Sequence, residues 1–354
     1  MWSWLQLSGS CIVVVCVQLN QFVSGYEYLP KQKGYSKNTI ISYRRALTLF
    51  VKYLHEVRKI PMKDIDFPII ERDMIVGFLE WLQNDRNCSA TTRNQRLMVL
   101  RSFFKYAGKV DCSFVTTSLV VADVPKKNEP GKVVDYLSEK AFEAFLQQPN
   151  TDTAKGIRDL FFIILMYDTA ARCGELQRLQ IKDIHLDDPN PVIYLHGKGG
   201  KGQMLPLFKR TVEHYLEYKK IFHPNTPANS DELVFYTVSH GEKHPISPDA
   251  IALFFNKYAK AAHAECPECP EKIHPHMIRH TRAMHLYQNK MPLALISEVL
   301  RHADVKITKI YAFADPEMKR EEMEKASPLK KAGTKAIPIW ENDEEMILKL
   351  CGLE

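Results

Sequence analysis

Ser36-Lys-Asn-Thr-Ile-Ile-Ser-Tyr-Arg-Arg-Ala-Leu-Thr-Leu-Phe-Val-Lys-Tyr-Leu54 decides how the first third of the chain folds. Within it Ile40, Tyr43, Leu47, Phe50, Val51 and Leu54 recur at steps of three and four, which places them on one face of a helix. Ser36 precedes the first apolar residue and suits an N-cap, where its hydroxyl can accept from an otherwise unpaired amide. Met74, Ile75, Phe78, Leu79 and Leu82 repeat the pattern, and so do Leu97, Leu100, Phe103, Phe104 and Ala107. No strand-like alternation interrupts them. Residues 26–122 are therefore expected to form a small all-helical domain.

Upstream, an apolar run from Cys11 to Val17 follows Trp2, Trp4 and Leu5, and Val23-Ser24-Gly25 has the small residues of a cleavage site. No Lys or Arg precedes the run, so the positive start of an export signal is missing. The run is also shorter than the roughly 20 residues of a membrane span. Residues 1–25 are read as a misplaced start or a first helix packing on the domain, and no membrane partner is expected. Downstream, residues 123–135 hold two prolines, a glycine and three lysines without periodicity and read as a linker. Residues 136–326 read as a second, mixed domain, with helices at 138–148 and 154–168. Alternating segments at 191–195 and 203–207, joined by a glycine-rich turn, form a hairpin signature. Helices resume near 248. A tail over 327–354 carries Ile339, Trp340, Met346, Ile347 and Leu350 after a Pro- and Gly-bearing connector. The expected class is mainly α with a small β-hairpin or sheet (α+β).

A charged fraction of 25% beside 45% hydrophobic residues excludes a disordered chain. The net charge of +6 permits a polyanionic partner without proving one. Eight scattered cysteines fit a reducing compartment rather than a disulfide scaffold, and a cytoplasmic protein is expected. In the helical domain Lys37, Thr39, Arg44, Arg45, Thr91, Thr92, Arg93, Arg96 and Arg101 lie near helix starts and exposed faces. Hydroxyls, amides and guanidiniums of this kind suit phosphate oxygens and base edges, and equally suit a solvated helix face.

Four places in the second domain carry chemistry. Arg172 emerges beside apolar core, where an arginine either pairs with a carboxylate or binds an anion. Lys198 and Lys201 sit on a glycine-rich turn, but Gly202 is followed by Gln203 rather than Ser or Thr and a helix, so a nucleotide loop is excluded. In His274-Pro-His276-Met-Ile-Arg279-His280-Thr281, His276 and Arg279 share a helix face and can address one anion. His276 and His280 also have metal-ligand spacing, with Cys266-Pro-Glu-Cys269 upstream, although no second Cys pair completes a zinc site. Finally, Leu300-Arg301-His302 is followed nine residues later by Tyr311.

In this order, Arg172, Lys198, His276, Arg279, His302 and Tyr311 resemble the tyrosine recombinase (phage integrase) family, of its Xer-like or mobile-element kind. The strings that carry the likeness are Ala-Arg-Cys-Gly-Glu-Leu, Gly-Lys-Gly-Gly-Lys, His-Pro-His-Met-Ile-Arg-His-Thr and Leu-Arg-His with its later tyrosine. Gly-Tyr-Ser-Lys-Asn-Thr-Ile-Ile-Ser-Tyr-Arg-Arg at 34–45 is similar to the family's helical core-binding domain. The resemblance spans about residues 26–326. It implies a site-specific recombinase that cuts DNA by tyrosine attack, leaving a 3′-phosphotyrosine and a free 5′-hydroxyl, with no metal or other cofactor. It implies Tyr311 as nucleophile, Arg172 and Arg279 as stabilisers of phosphate charge, and Lys198 as general acid. His276 would work near the tyrosine and His302 would donate to the phosphate.

The implied partners are duplex DNA, further copies of the chain in a tetramer on two sites, and an accessory directionality factor or partner recombinase. The tail is expected either to dock on a neighbouring protomer or to fold back on its own domain. With fewer than 30 residues before the helical domain, no arm-binding domain is expected. Two positions depart from the family, which often has glycine where Arg301 stands and threonine where Ile307 stands. Arg301 is expected to alter a helix-end backbone angle or add a phosphate contact. The rivals are a type IB topoisomerase, a catalytically silent DNA-binding regulator, and a zinc protein built on Cys266, Cys269, His274, His276 and His280.

Overall fold

The computed structural model describes residues 33–65, 70–129, 134–186, 190–197, 202–301 and 344–350, together with residues 22, 29, 308, 310, 311, 320 and 323. Apart from Phe22, the apolar segment 1–25 lies outside the described residues, as do Ile339 and Trp340 of the tail. The chain divides into two compact units, Met1–Gly131 and Lys132–Glu354.

The first unit is helical. It contains α1 (Lys37–Lys52), α2 (Arg72–Asn84), α3 (Ala90–Val110) and α4 (Val115–Asp123). Ser36 caps α1 by accepting from the Thr39 amide at 3.4 Å, and Ser89 caps α3 through the Thr92 amide at 3.2 Å. The periodic residues Leu47, Phe50, Phe78, Leu82, Leu100 and Phe103 meet in one core, each contributing about 1.5–3 kcal/mol when fully buried. The stretch after α4 has no regular secondary structure through Glu129, yet it is tied to α3. Buried Asn94 donates to the Lys127 carbonyl at 2.8 Å and to Glu129 at 2.9 Å, and accepts from the Lys127 amide at 3.0 Å. One side chain thus satisfies the backbone of an extended segment that has no strand to pair with.

The second unit begins with α5 (Glu139–Leu146), α6 (Ala154–Thr169) and the single turn α7 (Cys173–Leu176). A small antiparallel sheet follows in the order β1 (Ile184–His185), β2 (Val192–His196), β3 (Gly202–Pro206). In the hairpin Ile193 faces Leu205 and His196 faces Gly202, so the expected glycine-rich turn is its tip. Then come α8 (Lys209–Phe222), the hairpin β4 (Tyr236–Ser239) and β5 (Glu242–Pro245), α9 (Pro248–Glu265), α10 (Pro275–Gln288) and α11 (Leu293–Val299). A tail helix, α12, covers Glu344–Leu350. No helix among the described residues is long and apolar enough to cross a membrane.

Helix α6 is the axis of this unit. Phe161, Phe162, Leu165 and Met166 are buried against Tyr218 of α8, Phe235 and Phe255 of α9. Its first turn needs glycine at 156, because a Cβ there would lie 1.8 Å from the Asn150 carbonyl oxygen. The fold class is as expected, but β1 and the β4–β5 hairpin were not. β1 is two residues long, too short for any period to register. The second hairpin turns at His240 and Gly241, with φ of 51° and 81°; β4 alternates only over four residues and the exposed strand β5 has no apolar alternation.

Candidate active site

Helix α6 ends at Thr169, and Ala170 takes a left-handed conformation with φ of 48°. This bend leads the chain directly to Arg172, the N-cap of α7. The Arg172 amide donates to the Glu175 carboxylate at 2.8 Å, and its guanidinium donates to the same carboxylate at 3.2 Å. Glu175 is almost wholly buried, whereas the Arg172 side chain is 46% exposed. One face of Arg172 is thereby held while the rest faces outward. The carboxylate also takes Arg301 Nη2.

Arg279 of α10 is a fully buried guanidinium. Its Nη1 donates to the Ala170 carbonyl at 2.5 Å and its Nη2 to the Leu300 carbonyl. These carbonyls cap α6 and α11, so Arg279 ties together two helix C-termini, the partially negative ends of the helix dipoles. Burial, followed by the neighbouring Arg172 charge, lowers its pKa to about 10, so it stays cationic at neutral pH.

Tyr311 is buried among Ala170, Ala283, Met284, Ile296 and Leu300. Burial pushes its hydroxyl up to about 12, against the opposing pull of Arg279. Its oxygen lies 2.9 Å from His280 Nδ1. His276, one turn earlier, stacks obliquely on His280 with ring centres 4.7 Å apart. His276 keeps an exposed edge, but crowding by protein and then the charges of Arg279, His274 and Arg172 hold its pKa below the ordinary value.

Four of the six catalytic candidates, Arg172, His276, Arg279 and Tyr311, are therefore linked through shared contacts. Lys198 and His302 lie outside the described residues. The hairpin that carries Lys198 reaches α11, where Gln203 donates to the Glu298 carbonyl at 3.2 Å. The histidine on the tyrosine is His280 rather than His276. Its signal in the sequence is the four-residue spacing from His276, a spacing that suits a metal pair equally well. No local pattern announces the pairing of Glu175 with Arg301, which lie 126 residues apart in the sequence. The zinc arrangement does not form, since His274 caps α10 through the Met277 amide at 3.1 Å and His280 serves Tyr311. Among the described residues no three His, Cys, Asp or Glu side chains gather to hold a metal.

The DNA-binding candidates fall into two groups. Lys37, Arg44 and Arg45 are exposed on α1. Others are engaged within the unit: Thr39 and Thr92 at the helix caps, Thr91 on Glu129 at 2.7 Å, and Arg93 on the Pro125 carbonyl at 3.2 Å. Arg96 meets the Ser42 carbonyl at 3.5 Å, and Arg101 holds the Val121 and Val124 carbonyls.

Residues 135–318 match the Phage integrase family, and residues 21–109 match the Phage integrase, N-terminal SAM-like domain. The chain is 30% identical over 289 residues to tyrosine recombinase XerD of Oceanobacillus iheyensis, covering 81% of this chain and 91% of the relative. It is 29% identical over 296 residues to XerD of Listeria innocua, covering 83% and 94%. Its fold is similar to that of XerH site-specific recombinase bound to palindromic difH substrate, with TM-score 0.63, 21% identity and coverage of 91% and 90%. It is also similar to the Tn1549 transposon integrase in complex with circular intermediate DNA, with TM-score 0.61, 17% identity and coverage of 89% and 99%.

Proposed function

The chain belongs to the phage integrase family of tyrosine-type site-specific recombinases, and from that premise we propose that it cuts and rejoins duplex DNA through a phosphotyrosine at Tyr311. The observation that carries this reading is the Tyr311 hydroxyl held 2.9 Å from His280 Nδ1 and within the electrostatic influence of Arg279.

The Tyr311 oxygen attacks the scissile phosphorus, forming the tyrosine–phosphate bond and breaking the bond to the 5′-oxygen. A hydroxyl raised to about 12 is a weak nucleophile at neutral pH, so it requires a base at the moment of attack. His280 accepts its proton through Nδ1, with His276 stacked behind as the next group in line. Arg172 and Arg279 stabilise the charge on the non-bridging oxygens; Arg172 does so from its exposed face, since Glu175 occupies only part of its fork. Lys198, on the hairpin, protonates the leaving 5′-oxygen, and His302 donates to the phosphate. The bond energy is retained in the phosphotyrosine, so the reverse attack by a 5′-hydroxyl completes strand exchange without a cofactor. Four protomers act on two sites, with α12 the segment available for docking between them, and the biological task is integration, excision or transposition of a mobile element.

The test is incubation of duplexes from the DNA flanking the gene with wild-type protein and Tyr311→Phe, followed by denaturing electrophoresis. Wild type is expected to leave protein attached to a 3′ end. Tyr311→Phe is expected to bind with unchanged salt dependence and form no adduct. An adduct in the Phe variant overturns the assignment of Tyr311.

A further inference from the structure

Arg301 stands where the family often has glycine, and the backbone shows why glycine suits the position: its φ is 52°, in the left-handed region that side chains disfavour. Despite that strain, its side chain turns inward and is only 14% exposed. Nη2 donates to the Glu175 carboxylate. Nε and Nη1 are buried and have no hydrogen-bond partner among the described residues. Glu175 already serves Arg172, so one carboxylate answers two guanidiniums. Arg279 adds a third guanidinium bound only to backbone carbonyls. Among the described residues this cluster holds three cations and one anion, a net +2. Attack of a phenolate on a phosphodiester creates a transition state with two negative charges, one from each reactant.

We propose that Arg301 is a third phosphate-binding arginine of this site. Its Nη2 keeps Glu175 neutralised, which leaves Arg172 free to face outward, and a remaining donor binds a non-bridging oxygen of the scissile phosphate. The assignment rests on the strand-exchange function proposed above. It also explains why a side chain is retained where the backbone favours none.

The experiment compares wild type, Arg301→Gly and Arg301→Lys on a flanking-DNA duplex that yields the wild-type adduct. Arg301→Gly suits the left-handed turn and is expected to fold with an unchanged melting profile, yet form adduct at least tenfold more slowly. Arg301→Lys keeps the charge and recovers part of the rate. The slope of log binding constant against log salt falls by about 0.9 in Arg301→Gly, as for one lost phosphate contact. On the same duplex with a methylphosphonate at the cleaved position, the gap between wild type and Arg301→Gly closes, because the oxygen charge that Arg301 answers is gone. Equal adduct rates for wild type and Arg301→Gly, or a gap undiminished on methylphosphonate DNA, overturn the proposal and leave Arg301 a structural partner of Glu175. Absence of adduct from wild type itself overturns the strand-exchange function and this role with it.

Discussion

Two buried polar clusters of the second unit use the same residue types and end in opposite states. Asp159, in the middle of α6, receives Arg158 Nε at 3.0 Å and Nη2 at 2.7 Å on one oxygen, and the Tyr258 hydroxyl at 2.9 Å on the other. One cation meets one anion, and both carboxylate oxygens are used. Around Glu175, Arg172 and Arg301 share a single carboxylate, Arg279 faces only carbonyls, and two Arg301 nitrogens have no partner among the described residues. The first cluster closes upon itself and holds α6 to α9. Among the described residues the second holds more guanidiniums than carboxylates, an excess that the proposed phosphate would offset. Charge balance, rather than burial or residue type, distinguishes a structural polar cluster from one that awaits a ligand.

The largest expected effect breaks the balanced cluster. Asp159→Ala removes the anion and strands Arg158 and the Tyr258 hydroxyl, so stability should fall by about 3 kcal/mol, the low end for breaking a buried pair because Arg158 retains some solvent access. Denaturant titration measures this, and the adduct rate per folded molecule should stay within about twofold of wild type. A comparable loss of rate would mean that the two clusters are coupled. Next in size is Arg279→Lys, which keeps the charge and loses the planar fork that bridges Ala170 and Leu300. Adduct formation should slow about 100-fold, the scale of removing one preorganised donor from a transition state. A rate within threefold of wild type would show that point charge alone suffices there.

The helices of the first unit were legible because each buries a broad face, so the three- and four-residue steps of Leu47, Phe50 and Leu54 or of Leu97, Leu100 and Phe104 mark them directly, whereas α8 of the second unit was not anticipated. The β2–β3 hairpin was legible from its glycine-rich turn. The β4–β5 hairpin was not, since Tyr236 and Val238 alternate with polar residues that are themselves partly exposed. At the site, the reactive residue types could be read from their strings, but their partners could not. Arg279 is held by the carbonyls of Ala170 and Leu300, and a carbonyl belongs to every residue, so no side-chain pattern announces it. Arg101 gave the opposite difficulty. Its position on a helix face read as phosphate-facing, while its guanidinium is spent on the carbonyls that end α4. Local sequence shows where a charged group sits and rarely whether its hydrogen bonds are already taken.

The smallest expected effect separates the two kinds of environment by pH. Burial lowers the pKa of His223, whose Nε2 meets the Val234 carbonyl at 3.0 Å, and of His285, whose Nε2 meets the Leu137 carbonyl at 2.9 Å. His276 is lowered by burial too, but also by the Arg279 and Arg172 charges. A histidine lowered in the folded state is neutral there, while the unfolded chain takes up a proton near pH 6.5. The stabilisation is therefore complete above about pH 6.5 and is lost as pH falls through that value toward the folded pKa, by up to about 1.4 kcal/mol per pH unit for each of the buried His223 and His285. Thermal unfolding between pH 7.5 and 5.5 should show this decline. Inorganic phosphate should then act on one histidine alone. An anion among Arg172, Arg279 and Arg301 offsets the charges that depress His276, so its pKa, followed by NMR of the ring protons, should rise with phosphate while those of His223 and His285 stay fixed. A His276 that ignores phosphate would mean that the cluster's excess charge is not available to an anion, and the contrast with Asp159 would lose its meaning.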